Sequence, residues 1–244
     1  MAIKTIITSG KGGVGKSTVT ALLGAWLGDL GKKVIIIEWD FGLRALDIIL
    51  GVQENTVFDL NDVLTGRCSL DKAIIKCSNY NNLSLISSPL SEFYYINEGH
   101  LKQLFNGLSG KYDHILIDSP AGIGPDFRAT LNIVDKAILI ATTDPVCIRD
   151  GCRVSQILED HGVLEQRLVI NKVNSKGIKK GIFPDLDEVI DGIGVKLIAV
   201  IPNDDDILKY TATGKKLNKG SKSNKIFKNL AGRFIGYNIP LYIK

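Results

Sequence analysis

Two lysines, a serine and two strand-ending aspartates stand in this chain at spacings that suit phosphate chemistry. Lys11, Lys16 and Ser17 belong to Gly10-Lys11-Gly12-Gly13-Val14-Gly15-Lys16-Ser17-Thr18, which satisfies the phosphate-loop pattern G-x-x-x-x-G-K-[ST]. Four glycines in six positions let successive backbone N–H groups turn inward, so the loop can wrap a di- or triphosphate at the positive end of a following helix. Lys16 would reach the β- and γ-phosphates, and Ser17 would offer its hydroxyl to Mg²⁺. All nine residues, Gly10 through Thr18, therefore form the expected nucleotide-binding set.

That pattern has meaning only between a strand and a helix. The apolar run at 3–8 and the apolar-periodic run at 19–30 supply them. Val34-Ile35-Ile36-Ile37-Glu38 is a continuous β-branched stretch, as expected of a parallel strand buried on both faces. It leads into Asp40, and strand carboxyl ends are where α/β proteins hold ligands. An acidic group beside a γ-phosphate needs Mg²⁺ or a water between them, which makes Asp40 the candidate for orienting an attacking water. Capping a helix is the other reading of this residue taken alone. His114-Ile115-Leu116-Ile117-Asp118 repeats the arrangement. Asp118 would stand opposite Ser17 and hold Mg²⁺ through a water, the Walker B role. Gly122 would bring a backbone N–H to the γ-phosphate.

Further strands are expected at 83–86, 137–142, 168–170 and 198–202, with helices over 56–64, 69–75, 98–108, 147–161 and 224–235. The alternation predicts an α/β fold: a doubly wound, mostly parallel sheet with helices on both faces, of the P-loop NTPase class. A length of 244 residues suits a single domain, 1–244, with a basic amphipathic segment at 207–244. With 45% hydrophobic and 23% charged residues the chain is neither disordered nor membrane-spanning. No apolar run approaches the ~18–20 residues of a transmembrane helix, so a cytoplasmic protein is the default. Cys68, Cys77, Cys147 and Cys152 show no C-x-x-C spacing and only 3 His accompany them, which argues against zinc and leaves small core or surface residues. The net charge of +4 conceals a polarity: 9 of the 30 basic residues, and none of the 26 acidic ones, follow Asp206. An anionic surface is the partner such polarity suggests.

Lys11 narrows the class, because the general motif needs no second lysine. With this loop, Asp40-Phe41-Gly42-Leu43-Arg44-Ala45-Leu46-Asp47 and Asp118-Ser119-Pro120-Ala121-Gly122, the chain resembles MinD-like members of the MinD/ParA family of deviant Walker A ATPases. The resemblance implies an ATP-dependent homodimer in which Lys11 crosses to the other subunit's phosphates. It implies slow hydrolysis of ATP to ADP with Mg²⁺, using Lys11, Lys16, Asp40 and Asp118 as catalytic residues. It puts Asn171 on the family's purine-contacting asparagine, whose amide has a donor and an acceptor for the adenine edge. The backbone at Pro202 would line the adenine pocket. Asn174 stands where guanine-selecting N-K-x-D motifs carry Asp, which favours ATP. Arg149, Asp150 and Arg153 resemble the segment this family presents to regulatory division proteins; a solvated charged face is the alternative. Two departures stand out, Glu38 for the usual Asp and Ala45 for the usual Asn, and no role is carried over to Glu38.

The implied biological role is spatial regulation of cell division, by septum site placement. The family's basic lipid-binding helix would follow Ile239-Pro240-Leu241, and the sequence runs only to Lys244. Membrane contact is therefore expected to be weak or indirect, for a cytoplasmic protein peripheral at most to the inner face of the membrane. The alternative is a ParA-like positioner of DNA or other cargo, binding nucleic acid nonspecifically through the basic tail with a steep salt dependence. An amidating or ring-closing synthetase would need a second substrate pocket, for which no motif stands out. An iron–sulfur carrier would need a cysteine soon after Asp118, where the chain reads Ser-Pro-Ala-Gly-Ile-Gly-Pro.

Overall fold

The structure, a computed structural model, describes residues 1–90 and 98–241. Lys244, where the expectation about membrane contact rested, lies outside the described residues. The strands are β1 (Ile3–Thr8), β2 (Val34–Glu38), β3 (Ile75–Lys76), β4 (Leu83–Ile86), β5 (His114–Asp118), β6 (Lys136–Ala141), β7 (Gln166–Val173) and β8 (Leu197–Pro202). They form one sheet in the order β3-β4-β2-β5-β1-β6-β7-β8. Only the β3/β4 pairing is antiparallel. The helices are α1 (Lys16–Asp29), α2 (Leu46–Ile49), α3 (Leu60–Leu64), α4 (Leu70–Ala73), α5 (Glu98–Ser109), α6 (Pro125–Leu131), α7 (Pro145–Asp160), α8 (Ser175–Lys179), α9 (Leu186–Ile193), α10 (Asp205–Thr213) and α11 (Lys222–Phe234).

The chain leaves β1 toward β2 on one side and reaches β6 on the other, so the direction of winding reverses at β5/β1. That reversal opens a crevice at the carboxyl edge, where open α/β sheets bind ligands. Ile35, Ile37, Ile115 and Ile117 pack with Leu101, Leu104 and Phe105 of α5 on one face. The alternating Val34, Ile36 and Leu116 pack with Leu23 and Leu27 of α1 on the other. Both faces of each central strand are thus apolar, which is why the runs read as continuous rather than alternating.

Helices α2, α6, α8, α9 and α10 lie where none was expected, and three further local outcomes depart from the expectations. The helix expected over 56–64 starts only at Leu60, because Asp59 and Asp62 exchange side-chain and backbone bonds in a capping box. The helix expected over 69–75 stops at Ala73, since Ile75 pairs with Leu85 as the antiparallel edge β3. The strand β7 continues to Val173, so Asn171 is a strand residue rather than a loop residue. The basic C-terminal helix packs on the domain, burying Phe227, Leu230 and Ala231 in the core shared with α1. Among the described residues no helix is long and apolar enough to cross a membrane.

Candidate nucleotide site

The phosphate loop joins β1 to α1. Gly15 caps α1 at φ +92°, and a Cβ there would lie 2.4 Å from Asn171 Nδ2, so only glycine fits. The first turn of α1 holds no acidic residue, leaving the positive end of the helix uncompensated. The loop is held from outside through its carbonyls. Asn171 Nδ2 donates to Val14 O at 2.7 Å, Lys172 Nζ to Gly13 O at 2.6 Å, and Ser9 Oγ to Lys11 O at 3.0 Å. Carbonyls engaged this way leave loop amides for an anion. The cleft measures about 490 Å³ and is walled by the loop together with Asp40, Leu43, Pro120 and Ala121.

Strand register fixes the carboxylates. Asp118 pairs with Ile7 on β1 and with Glu38 on β2. It has no exposed surface; Oδ2 accepts from Ser17 Oγ at 2.6 Å and Oδ1 from Thr20 Oγ1 at 3.0 Å. Burial pushes its carboxyl above the usual range, against Lys16, Ser17 and Thr20, which favour the charged form. A hydroxyl in contact with a buried carboxylate is the hard-oxygen donor set that suits Mg²⁺, and a divalent charge there would offset the burial of Asp118. Lys16 is buried at the same place, and its charge acts on both Asp118 and Asp40.

Asp40 is half-buried in the cleft wall, with its carboxyl raised by burial and by Asp118 and Asp126, and lowered by Lys16. It caps no helix. The cap position of α2 is Ala45, whose side chain bonds nothing. The donors at the start of α2 go instead to Glu38 Oε1, from Ala45 N at 2.6 Å and Leu46 N at 2.8 Å. Ser88 N reaches Glu38 Oε2 at 3.1 Å, and Ser88 Oγ donates to Asp40 O at 2.8 Å. Glu38 is the positioning residue that the sequence left without a role. Its one visible signal was the longer carboxylate where an Asp is usual: an Asp would fall a methylene short of Ala45 and Leu46. Burial outweighs the three donors and raises Glu38 to about 7.

The other expected residues are dispersed around the cleft. Lys11 is exposed, and its ammonium lies 3.5 Å from Asp144, the N-cap of α7. Gly122 takes φ +86°, but its N–H donates to Ser9 O at 2.8 Å, so in this conformation it serves the loop and not a phosphate. Asn174 Oδ1 accepts from Gly177 N at 3.1 Å and caps α8. Pro202 ends β8 beside Val173 and lines a separate cavity of about 370 Å³ with Val173, Ile178 and Leu186. Arg149 is exposed and bonded to Asp150 at 3.1 Å, and Arg153 reaches Gln156 at 3.5 Å. A Cβ on Gly10 would come within 2.5 Å of the Asp150 backbone, so the helix carrying these charges touches the first residue of the phosphate loop.

The chain matches the family model described as CobQ/CobB/MinD/ParA nucleotide binding domain over residues 5–217. It is 37% identical over 239 residues to the septum site-determining protein MinD of Synechocystis sp., covering 96% of this chain and 90% of that protein. Among solved structures it is similar to a chain of the MinC:MinD cell division protein complex of Aquifex aeolicus, with a TM-score of 0.92 at 33% identity over 99% of each chain. It is also similar to the septum site-determining protein MinD complexed with Mg-ADP from Pyrococcus horikoshii, with a TM-score of 0.86 at 30% identity over 97% of each chain.

Proposed function

Because the chain is a MinD-like member of the MinD/ParA family of P-loop ATPases, we propose that it works as an Mg·ATP-dependent dimerisation switch in the spatial regulation of cell division. The observation that carries this reading is the contrast between the loop's two lysines. Lys16 is buried beside Asp40 and Asp118, whereas Lys11 stands exposed at the mouth of the same cleft with Asp144 its one ion-pair partner among the described residues. A second lysine facing outward suits a task beyond the chain's own triphosphate. Leu43, Ile123 and Val146, large apolar side chains left exposed in segments around that mouth, suit burial against a second copy.

In this mechanism the loop amides and Lys16 bind the triphosphate, and Ser17 with Asp118 would hold Mg²⁺, which neutralises phosphate charge when bound. Asp40 accepts a hydrogen bond from water and orients it toward the γ-phosphorus. Lys11 of each copy leaves Asp144 and reaches the other copy's phosphates. That pair is long and solvent-exposed, so little opposes its exchange. Asn171 gives one amide hydrogen to Val14 O and keeps its oxygen and its second amide hydrogen as an acceptor and a donor for the adenine edge. Pro202 serves as the backbone flank of the base. Release of the γ-phosphate frees the segments around Asp40 and Asp118, and the dimer parts.

The whole chain acts as one ATPase domain with a basic C-terminal flank. Arg149, Asp150 and Arg153 face a regulatory division protein, and the contact of their helix with Gly10 gives such a partner a route to the loop. Light scattering in Mg·ATP and Mg·ADP tests the switch: the mass should double with ATP alone, and a monomer in both would refute it. Adding duplex DNA at moderate salt separates the cargo-positioning alternative, which requires an ATP-dependent shift that falls steeply with salt.

A further inference from the structure

Farther along α1 the protein encloses a larger cavity than the phosphate cleft, about 630 Å³ against about 490 Å³. Its α1 wall is Leu22, Ala25 and Trp26, and α10, α11 and the segment before β4 close the other sides. Trp26 is nine residues beyond Ser17 in the same helix, roughly 13 Å along its axis at 1.5 Å per residue, so this cavity is distinct from the cleft. Lys216, Lys219, Lys225 and Lys228 surround it, and none of them has an ion-pair partner among the described residues. Among the described residues the one carboxylate in the lining is Asp29, which already accepts from Asn81 Nδ2 at 2.8 Å. Two of the ammonium groups rest over aromatic faces, Lys216 at 4.9 Å from the Tyr80 ring centre and Lys228 at 5.9 Å from that of Trp26.

A buried donor faces the same space. Tyr80 and Tyr210 both line the cavity, with their hydroxyls 3.5 Å apart, and Tyr210 is only 1% exposed. Two hydroxyls carry two protons and the bond between them uses one, so one O–H remains to be given to a ligand. The start of α11 adds to the field, since Ser221 and Asn224 also line the cavity and the first turn of that helix has no acidic residue.

We propose that this cavity is a second anion site, taking a phosphate ester with an apolar body. The lysines and the tyrosine hydroxyl would hold the phosphate, and Leu22, Ala25, Trp26 and Leu217 would pack on the body. Such a ligand is either the headgroup end of an anionic phospholipid or a soluble organophosphate. The proposal does not depend on the dimerisation switch.

Trp26 in the wall is a built-in reporter. Its emission is to be followed in saturating Mg·ADP, so that the phosphate loop does not compete. The titrants are monomeric dihexanoyl phosphatidylglycerol, hexyl phosphate as a soluble ester with an apolar body, vesicles of phosphatidylglycerol or of phosphatidylcholine, and duplex DNA. A saturable change with a phosphate ester is expected, and Lys225→Ala/Lys228→Ala should raise the half-saturation concentration at least tenfold while leaving the melting curve and nucleotide affinity in place. A response to hexyl phosphate alone assigns the site to soluble esters, and one confined to phosphatidylglycerol assigns it to lipid; both support the proposal. It is overturned by no saturable response to either, by a response the double substitution leaves unchanged, by equal binding to phosphatidylcholine, or by a response to DNA only.

Discussion

Asp118 has no exposed surface and both of its oxygens are taken, by Ser17 and Thr20; Asp40, two residues past the end of β2, is half-buried, and its carboxylate accepts no hydrogen bond among the described residues. The segment after Asp40 is tethered at its far end, where Ala45 and Leu46 donate to Glu38. Leu43 within it is 71% exposed. One carboxylate is therefore part of the core and is positioned whether or not a nucleotide is present. The other is half-buried at the start of a turn held by backbone bonds, Ser88 Oγ to Asp40 O and Gly42 N–H to Pro89 O, with its carboxylate and Leu43 turned outward from those bonds. A switch needs both: a fixed post for the metal and phosphates, and a part whose position depends on what the cleft holds.

The largest effect should come from the post. Asp118→Asn removes the charge that Ser17 and Mg²⁺ would share, and ATP turnover should fall by roughly 10³-fold, the scale of losing one preorganised electrostatic contact. Near-normal turnover in a phosphate-release assay would break the comparison at its root. Asp40→Ala should lower turnover by about 10²–10³-fold, as for loss of a group that orients a nucleophile. Nucleotide affinity and the melting curve should persist and the ATP dimer should accumulate; a variant that melts early would mean that Asp40 is structural after all. Lys11→Ala should leave nucleotide affinity within about twofold, since the group is exposed and its ion pair with Asp144 is long, yet abolish the ATP-dependent doubling of mass. A dimer of unchanged mass in light scattering would remove the crossing role.

The fixed half of this comparison was legible in the sequence and the movable half much less so. A glycine-rich loop between apolar runs, and strands ending in Glu38 and Asp118, declare themselves because burial on both faces forces continuous apolar composition. The parallel strands, helices α1, α5, α7 and α11, and the cluster of Gly10 through Thr18 with Asp118 followed from that, whereas α2, α6, α8, α9 and α10 were not expected. What escaped were bonds between segments distant in sequence: Glu38 to Ala45, Leu46 and Ser88; Lys172 to the carbonyl of Gly13; Asn171 to that of Val14. No local propensity encodes them. The edge strand β3 escaped for a related reason, as two residues paired only with β4 leave no periodic trace.

Glu38 offers the finest test, because it links the two halves. It neighbours Asp118 across β2/β5 and holds the far end of the Asp40 segment. Its carboxyl is raised to about 7 in the fold from an ordinary 4.5. Between those values the folded protein keeps a proton that the unfolded chain has released, so stability falls as pH rises from about 4.5 to about 7 and levels off above. The full span is worth at most about 3 kcal/mol. Glu38→Gln cannot titrate, so that part of the slope should vanish. The variant also loses stability at every pH, because one amide oxygen cannot serve Ala45, Leu46 and the opposed Ser88 N–H together. The deficit of Glu38→Gln should therefore be greatest near pH 5 and shrink toward pH 8, read from urea melts at both. Parallel curves would show that Glu38 keeps an ordinary carboxylate's affinity for its proton, and that the three backbone donors, not burial, decide its charge.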